Sequence, residues 1–181
     1  MESIPHQSFS ATPLPADASS FAERAWEIFH YQAASNPVYR EFLGHLKVNP
    51  KAVRDHSQIP FLPLELYKQS NVVTGTLPVQ RIFRSSGTTE SVPAEHHVCD
   101  LSLYEESILE GFKLAYGDPD QFTFLALLPS YLERNDASLV YMVDFLMRSS
   151  ADKPHGFFLN DLDNLHRVDR KSTRLNSSHR T

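Results

Sequence analysis

The sequence predicts an α/β fold: N-terminal helices followed by a partial layered sheet with crossover helices. Three observations carry this expectation. Val79 to Phe83 and Phe157 to Leu159 are strand-like, and the run FTFLALL at residues 122–128 is continuously apolar. Between them Leu101, Tyr104, Ile108, Phe112 and Ala115 keep helical spacing, as do Leu139, Val143, Leu146 and Met147. A chain of 181 residues is long enough to bury one domain core.

Each element has a local reason. Residues 1–19 contain three prolines and no apolar run, and predict a mobile lead-in rather than a secretory signal. Ser20-Phe21-Ala22-Glu23 fits a capping box that opens a helix with Phe21, Ala25, Ile28 and Phe29 on one face. Asn36-Pro37 ends that helix and starts another through Leu43, because proline suits a first helical position. Asn49-Pro50 repeats the device, and IPFLPLELY at 59–67 reads as an extended approach followed by a helical turn. Val72-Val73 and Val79 to Phe83 read as strands around the turn Thr74-Gly75-Thr76. His96 to Val98 is a further extended piece, after which Asp100 caps a helix that Gly117 closes. Residues 122–128 predict a strand covered on both faces. Asp136 then caps a helix, Phe157 to Leu159 forms a third strand, and Asp161 opens a last helical segment.

Composition narrows the function. A net charge of -5 with a pI near 6.0 argues against nucleic acid as the main partner. Cys99 is the only cysteine, so no internal disulfide forms and a reducing cytoplasm fits. No apolar run approaches the roughly 18 residues of a membrane span.

The segment Arg84-Ser85-Ser86-Gly87-Thr88-Thr89-Glu90 concentrates hydroxyls around a glycine. Glycine lets the backbone approach a bulky anion, hydroxyls donate to phosphate oxygens, and successive amides can form an anion nest. There is no Gly-Lys-Ser/Thr ending, so this is not a Walker loop. Phosphate binding and an ordinary polar loop both fit such a string taken alone.

Phe83 to Thr89 resembles the phosphate-binding core of the adenylate-forming superfamily of acyl-CoA synthetases, luciferases and nonribosomal-peptide adenylation domains. The nearest likeness is to its LuxE-like acyl-protein synthetase branch. Ile59-Pro60-Phe61-Leu62-Pro63, the SSGTT loop, His97-Val98 with Asp100 to Tyr104, Leu127 to Arg134, and Ser138 to Asp144 carry it. Together these cover most of residues 20–165, in order. The resemblance implies that 20–168 is the N-terminal part of an adenylate-forming domain with ATP and Mg2+ as cofactors. Ser85, Ser86, Gly87, Thr88 and Thr89 would contact the ATP phosphates. His97, Pro129 and Tyr131 would border the pocket of a carboxylic acid, of the fatty-acid type. The implied reaction joins the acid to the α-phosphate of ATP, releasing pyrophosphate, and then passes the acyl group to a thiol. In this branch that thiol belongs to a protein, so an acyl-accepting protein or reductase is the implied partner. A phenylacetate-type CoA ligase shares the loop and is the alternative ligase. A non-catalytic α/β module whose loop no longer binds ATP is the alternative from another class.

Two departures stand out. The family usually has glycine where this chain has Glu90, and many members add a lysine soon after. A carboxylate about 5 Å from a phosphate charge would cost roughly 1–3 kcal/mol at surface-like dielectrics. Arg84 could offset it. The family's enzymes are also about twice as long, so the ribose-binding acid, the mobile lid and the accepting cysteine are expected beyond Val168. Asp169 to His179 looks like a sequencing-library adapter translated in frame, so 169–181 is expected to be a non-native tail on an incomplete and inactive fragment.

Other candidates are weaker. His96 and His97 are neighbours on a strand and point to opposite faces, so they do not chelate one metal together. Cys99 reads as a small packed side chain. No Gly-x-Ser-x-Gly elbow surrounds Ser85 or Ser86. Glu105, Glu106 and Glu110 read as a solvated helix face, and Glu133-Arg134 as a surface pair or a ligand contact.

Overall fold

A computed structural model describes residues 17–86, 92–130, 133–151 and 153–177. The fold is mixed α/β, and its backbone clusters into two compact units, Met1–Leu103 and Tyr104–Thr181.

In the first unit, α1 (Ala18–Ser35) is followed by α2 (Pro37–His45), and short 3-10 turns occupy Pro50–Ala52 and His56–Gln58. The start of α1 corrects the sequence reading. Asp17, not Ser20, is the N-cap, and the capping box is closed three residues upstream of the expected one. The Asp17 carboxylate accepts from the Ser20 amide at 2.8 Å, and the Ser20 hydroxyl accepts from the Asp17 amide at 3.1 Å. Two overlapping box patterns occur here, and the earlier one captures the helix, so residues 17–19 do not belong to the lead-in.

The Asn36-Pro37 junction is as expected. Asn36 is the deepest polar residue described, 1% exposed, and its side chain accepts from the Tyr39 amide at 3.1 Å to cap α2. Its amide nitrogen donates to the Thr74 hydroxyl at 3.0 Å, and the Gly75 N–H donates to the Ser35 carbonyl at 2.9 Å. One side chain thus joins the corner between two helices to a turn far along the chain. Gly75 has φ +79, as its turn requires, and a β-carbon there would meet the Tyr31 hydroxyl at 3.4 Å. Phe29, Ala33, Tyr39, Leu43 and Val53 form the core, with Trp26, Phe42, Val48, Ile59 and Leu62 packed on it. Tyr39 satisfies its buried hydroxyl by donating to the Pro60 carbonyl at 2.7 Å.

Residues 59–63 carry no helix or strand, and the chain turns at Leu64-Glu65 into the short α3 (Leu66–Gln69), the helical turn expected there, with Phe61 86% exposed. Val72-Val73 does not form a strand: Val72 is buried as a core residue without a ladder partner. The Val79 to Phe83 strand appears later, as β1 (Arg81–Arg84). It pairs antiparallel with β2 (Glu95–Val98), Arg84 opposite Glu95 and Arg81 opposite Val98. The hydroxyl-rich segment therefore connects the two strands of a hairpin, and Phe83 and Val98 anchor its buried side.

Helix α4 (Leu101–Tyr116) begins as predicted, with the Asp100 carboxylate accepting from the Ser102 and Leu103 amides at 3.0 and 3.3 Å. It ends at Gly117, whose φ of +97 and N–H bond to the Lys113 carbonyl (2.9 Å) close it. The boundary between the two units falls within its first turn.

The second unit holds a parallel β-α-β arrangement: β3 (Leu125–Ala126), α5 (Ser138–Ser149) and β4 (Gly156–Phe157), with Leu125 opposite Gly156 and Ala126 opposite Phe157. The crossover expectation holds here. The strands are shorter than predicted, and residues 122–128 are only partly covered, with Leu127 56% exposed. Phe112 packs edge-on to Phe122 and tilted to Phe124, which draws α4 against β3.

Asp136 is not the cap of α5. That position is Ala137, without a side-chain bond, while the Asp136 carboxylate accepts from Arg134 Nε at 3.2 Å. Leu146 is buried as expected, but Val140 and Tyr141 are inside as well and Leu139 is exposed. Tyr141 donates to the Glu105 carboxylate, and burial together with that bond pushes its phenol up to about 12. Phe158 rather than Leu159 is buried after β4.

Asp161 opens α6 (Leu162–Ser177) by accepting from the Asn164 amide at 3.1 Å. The helix continues through residues 169–177, where no further helical spacing was expected. Among the described residues no helix is long and apolar enough to cross a membrane.

Candidate functional site

The hairpin β1–β2 places the candidate site. Ser85 forms a reciprocal pair at its mouth: its N–H donates to the Ala94 carbonyl at 3.0 Å, and its Oγ accepts from the Ala94 N–H at 2.9 Å. A hydroxyl has one proton and two lone pairs, so this use of Oγ as an acceptor leaves the Ser85 proton available to an anion. Ser85 and Ser86 are both exposed. Gly87, Thr88, Thr89 and Glu90 lie outside the described residues.

Below that pair sits a feature that the sequence reading missed. Arg84 and Glu95 are directly opposed in register, and the Glu95 Oε1 accepts from Arg84 Nε at 3.0 Å and Nη2 at 2.9 Å. The other carboxylate oxygen, Oε2, lies 3.2 Å from His97 Nε2. The Arg84 guanidinium first, and the His97 ring second, hold the Glu95 carboxyl below the usual carboxylate range. Opposite charges at the two ends of the hydroxyl-rich segment are the sequence signal for this clasp, read as a cross-strand pair. Arg84, which the sequence offered as a counter-charge for Glu90, has these two guanidinium nitrogens on Glu95.

His97 itself has a side chain only 7% exposed, and its Nδ1 has no hydrogen-bond partner. His96 faces the other way, exposed, with its ring edge-on to Tyr67 at 6.4 Å. The alternation expected of adjacent strand residues is therefore observed. Burial raises the Cys99 thiol above its ordinary value, which keeps it a neutral packed group. Among the described residues no cluster of three His, Cys, Asp or Glu could hold a metal ion.

The structure thus brings Ser85, Ser86 and His97 onto one hairpin. Pro129 belongs to the second unit, and Tyr131 is outside the described residues. The Glu133 carboxylate accepts from the Ser130 amide at 2.7 Å and the Ser130 hydroxyl at 2.8 Å, which lowers its pKa. Glu133 and Arg134 therefore both serve local structure, with Arg134 on Asp136 rather than on Glu133.

Comparisons with protein-family models, curated proteins and solved structures find no match to this chain.

Proposed function

We propose that this chain is the N-terminal part of a LuxE-like acyl-protein synthetase, whose complete form activates a carboxylic acid with ATP and transfers the acyl group to a protein thiol. The reading is carried by the exposed Ser85 hydroxyl, which is fixed by Ala94 through its lone pair and keeps its proton for an anion. Ser86, exposed beside it, supplies a second hydroxyl at the hairpin mouth. These donors suit phosphate oxygens. Mg2+ fits as an ion held chiefly by the nucleotide's own phosphates, since it is usually bound with few protein ligands. ATP, when bound, supplies the phosphoryl group that activates the carboxylate. The work of this chain is to orient that phosphate chain with preorganised donors.

Titration of the chain with Mg-ATP by calorimetry tests the proposal. A hydrogen bond to a charged group is worth about 1.5–3 kcal/mol, so Ser86→Ala should weaken binding by roughly ten- to a hundredfold. Glu90→Gly should tighten it by about an order of magnitude, the cost of a carboxylate near a phosphate. Absence of heat with both the parent chain and Glu90→Gly would favour the non-catalytic reading. If Mg-ATP binds the hairpin, thiol transfer in the complete reading frame then separates a protein acceptor from coenzyme A.

A further inference from the structure

His155 makes two hydrogen bonds that only one form of imidazole can satisfy. The Phe124 N–H, which can only donate, lies 3.0 Å from His155 Nδ1. The Ala151 carbonyl, which can only accept, lies 3.1 Å from His155 Nε2. The ring must therefore be neutral, with its proton on Nε2 and a lone pair on Nδ1. Imidazolium has two N–H groups and no lone pair, so acid would turn the Phe124 contact into two facing N–H groups.

The position of this ring gives the contact a consequence. Phe124 immediately precedes β3 and His155 immediately precedes β4, and the two strands share only two register pairs. The Gly156 N–H donates to the Phe124 carbonyl at 3.0 Å, and the Phe158 N–H to the Ala126 carbonyl at 2.7 Å. The imidazole is a side-chain rung at the open end of this short parallel ladder. It also ties β3 to Ala151 in the connection from α5. Among the described residues, the charged groups bonded along that connection are Asp120, whose carboxylate accepts from the Ala151 N–H at 2.6 Å, and Lys153, whose ammonium donates to the Asp120 carbonyl at 2.5 Å. The Phe124 ring lies against the imidazole at 5.4 Å between centroids.

We propose that His155 is a proton-operated latch: its neutral Nε2–H form locks the start of β3 to the α5–β4 connection, and protonation releases it. The segment so released runs directly through β3 into Leu128-Pro129-Ser130. The inference does not depend on what the hairpin of the first unit binds.

Amide hydrogen exchange by NMR on the full chain tests it, after correction for the intrinsic pH dependence of exchange. Between about pH 8 and about pH 5, Phe124 and Gly156 should lose protection by roughly five- to tenfold, the equivalent of one net hydrogen bond. Amides of α5 should keep theirs. His155→Gln offers a carbonyl and an amide that do not titrate in this range, and should abolish the pH dependence. Equal protection of Phe124 at both pH values, or an unchanged pH response in His155→Gln, would overturn the proposal. Should that variant fail to fold, imidazole nitrogen shifts of the parent chain decide the matter. An unprotonated Nδ1 at the higher pH supports the latch, and a protonated Nδ1 there excludes it.

Discussion

Asn36 shows how much of this fold can rest on one side chain. At 1% exposure its amide is removed from water, and both ends are used: Oδ1 accepts from the Tyr39 N–H and Nδ2 donates to the Thr74 hydroxyl. Its own backbone N–H closes α1 on Gln32, and its carbonyl receives Arg40 in α2. Asn36→Ala deletes a cap and orphans the Thr74 hydroxyl, so it should cost about 1–3 kcal/mol. Asn36→Asp keeps the accepting oxygen but loses the donor to Thr74 and places a buried charge, and it should be no milder at neutral pH. Denaturant unfolding of both variants measures this. A loss for Asn36→Ala below about 0.5 kcal/mol, the range of ordinary surface changes, would show that the junction is held by the packing of Phe29 and Leu43 instead.

At the scale of elements, the hairpin should respond to acid through Glu95. A carboxyl whose folded pKa lies below its ordinary value of 4.5 contributes stability that is present above that value and is lost as pH falls through the lower, folded one. Protection of the Ser85 and Ala94 amides should therefore decline below about pH 4.5, and Glu95→Gln should show weaker protection at neutral pH with no such decline. Hydrogen exchange read at those two amides checks both. Local chemistry is also where the sequence was most legible. Asn36-Pro37, Asp100, Gly117 and Asp161 bound helices as read, because each acts on backbone groups within a few residues. The failures come from choices among competing partners. Asp17 takes the Ser20 amide before a Ser20–Glu23 box can form. Asp136 turns to Arg134 and leaves α5 to Ala137. The inside of α5 shifts from Leu139 to Val140 because the neighbouring elements, not the periodicity alone, decide which residues are covered.

Across the whole chain, a composition-level motif was easier to read than a constellation. The hydroxyls of Ser85 and Ser86 were visible as a string, whereas the Arg84–Glu95–His97 clasp beneath them depends on strand register, which brings residues 84 and 95 face to face. Likewise the alternation of strand and helix gave the mixed α/β class, but not the division of its strands between an antiparallel hairpin and a separate parallel pair. The C-terminal segment brings both lessons together. Helical backbone runs to Ser177, although residues 169–181 are polar and Asp169 and Arg170 are exposed. Isolated helical extensions of this length are marginal in water, and exposed positions usually change stability by no more than about 0.5 kcal/mol. A chain ended at Val168 should therefore keep its unfolding midpoint within about 2 °C, while losing far-ultraviolet helical signal in proportion to residues 169–177. Thermal unfolding followed by circular dichroism compares the two chains. If removing the segment lowered the midpoint by about 5 °C or more, a loss of roughly 1–2.5 kcal/mol, the segment would be packed against the rest of the second unit and its sequence would be part of the fold.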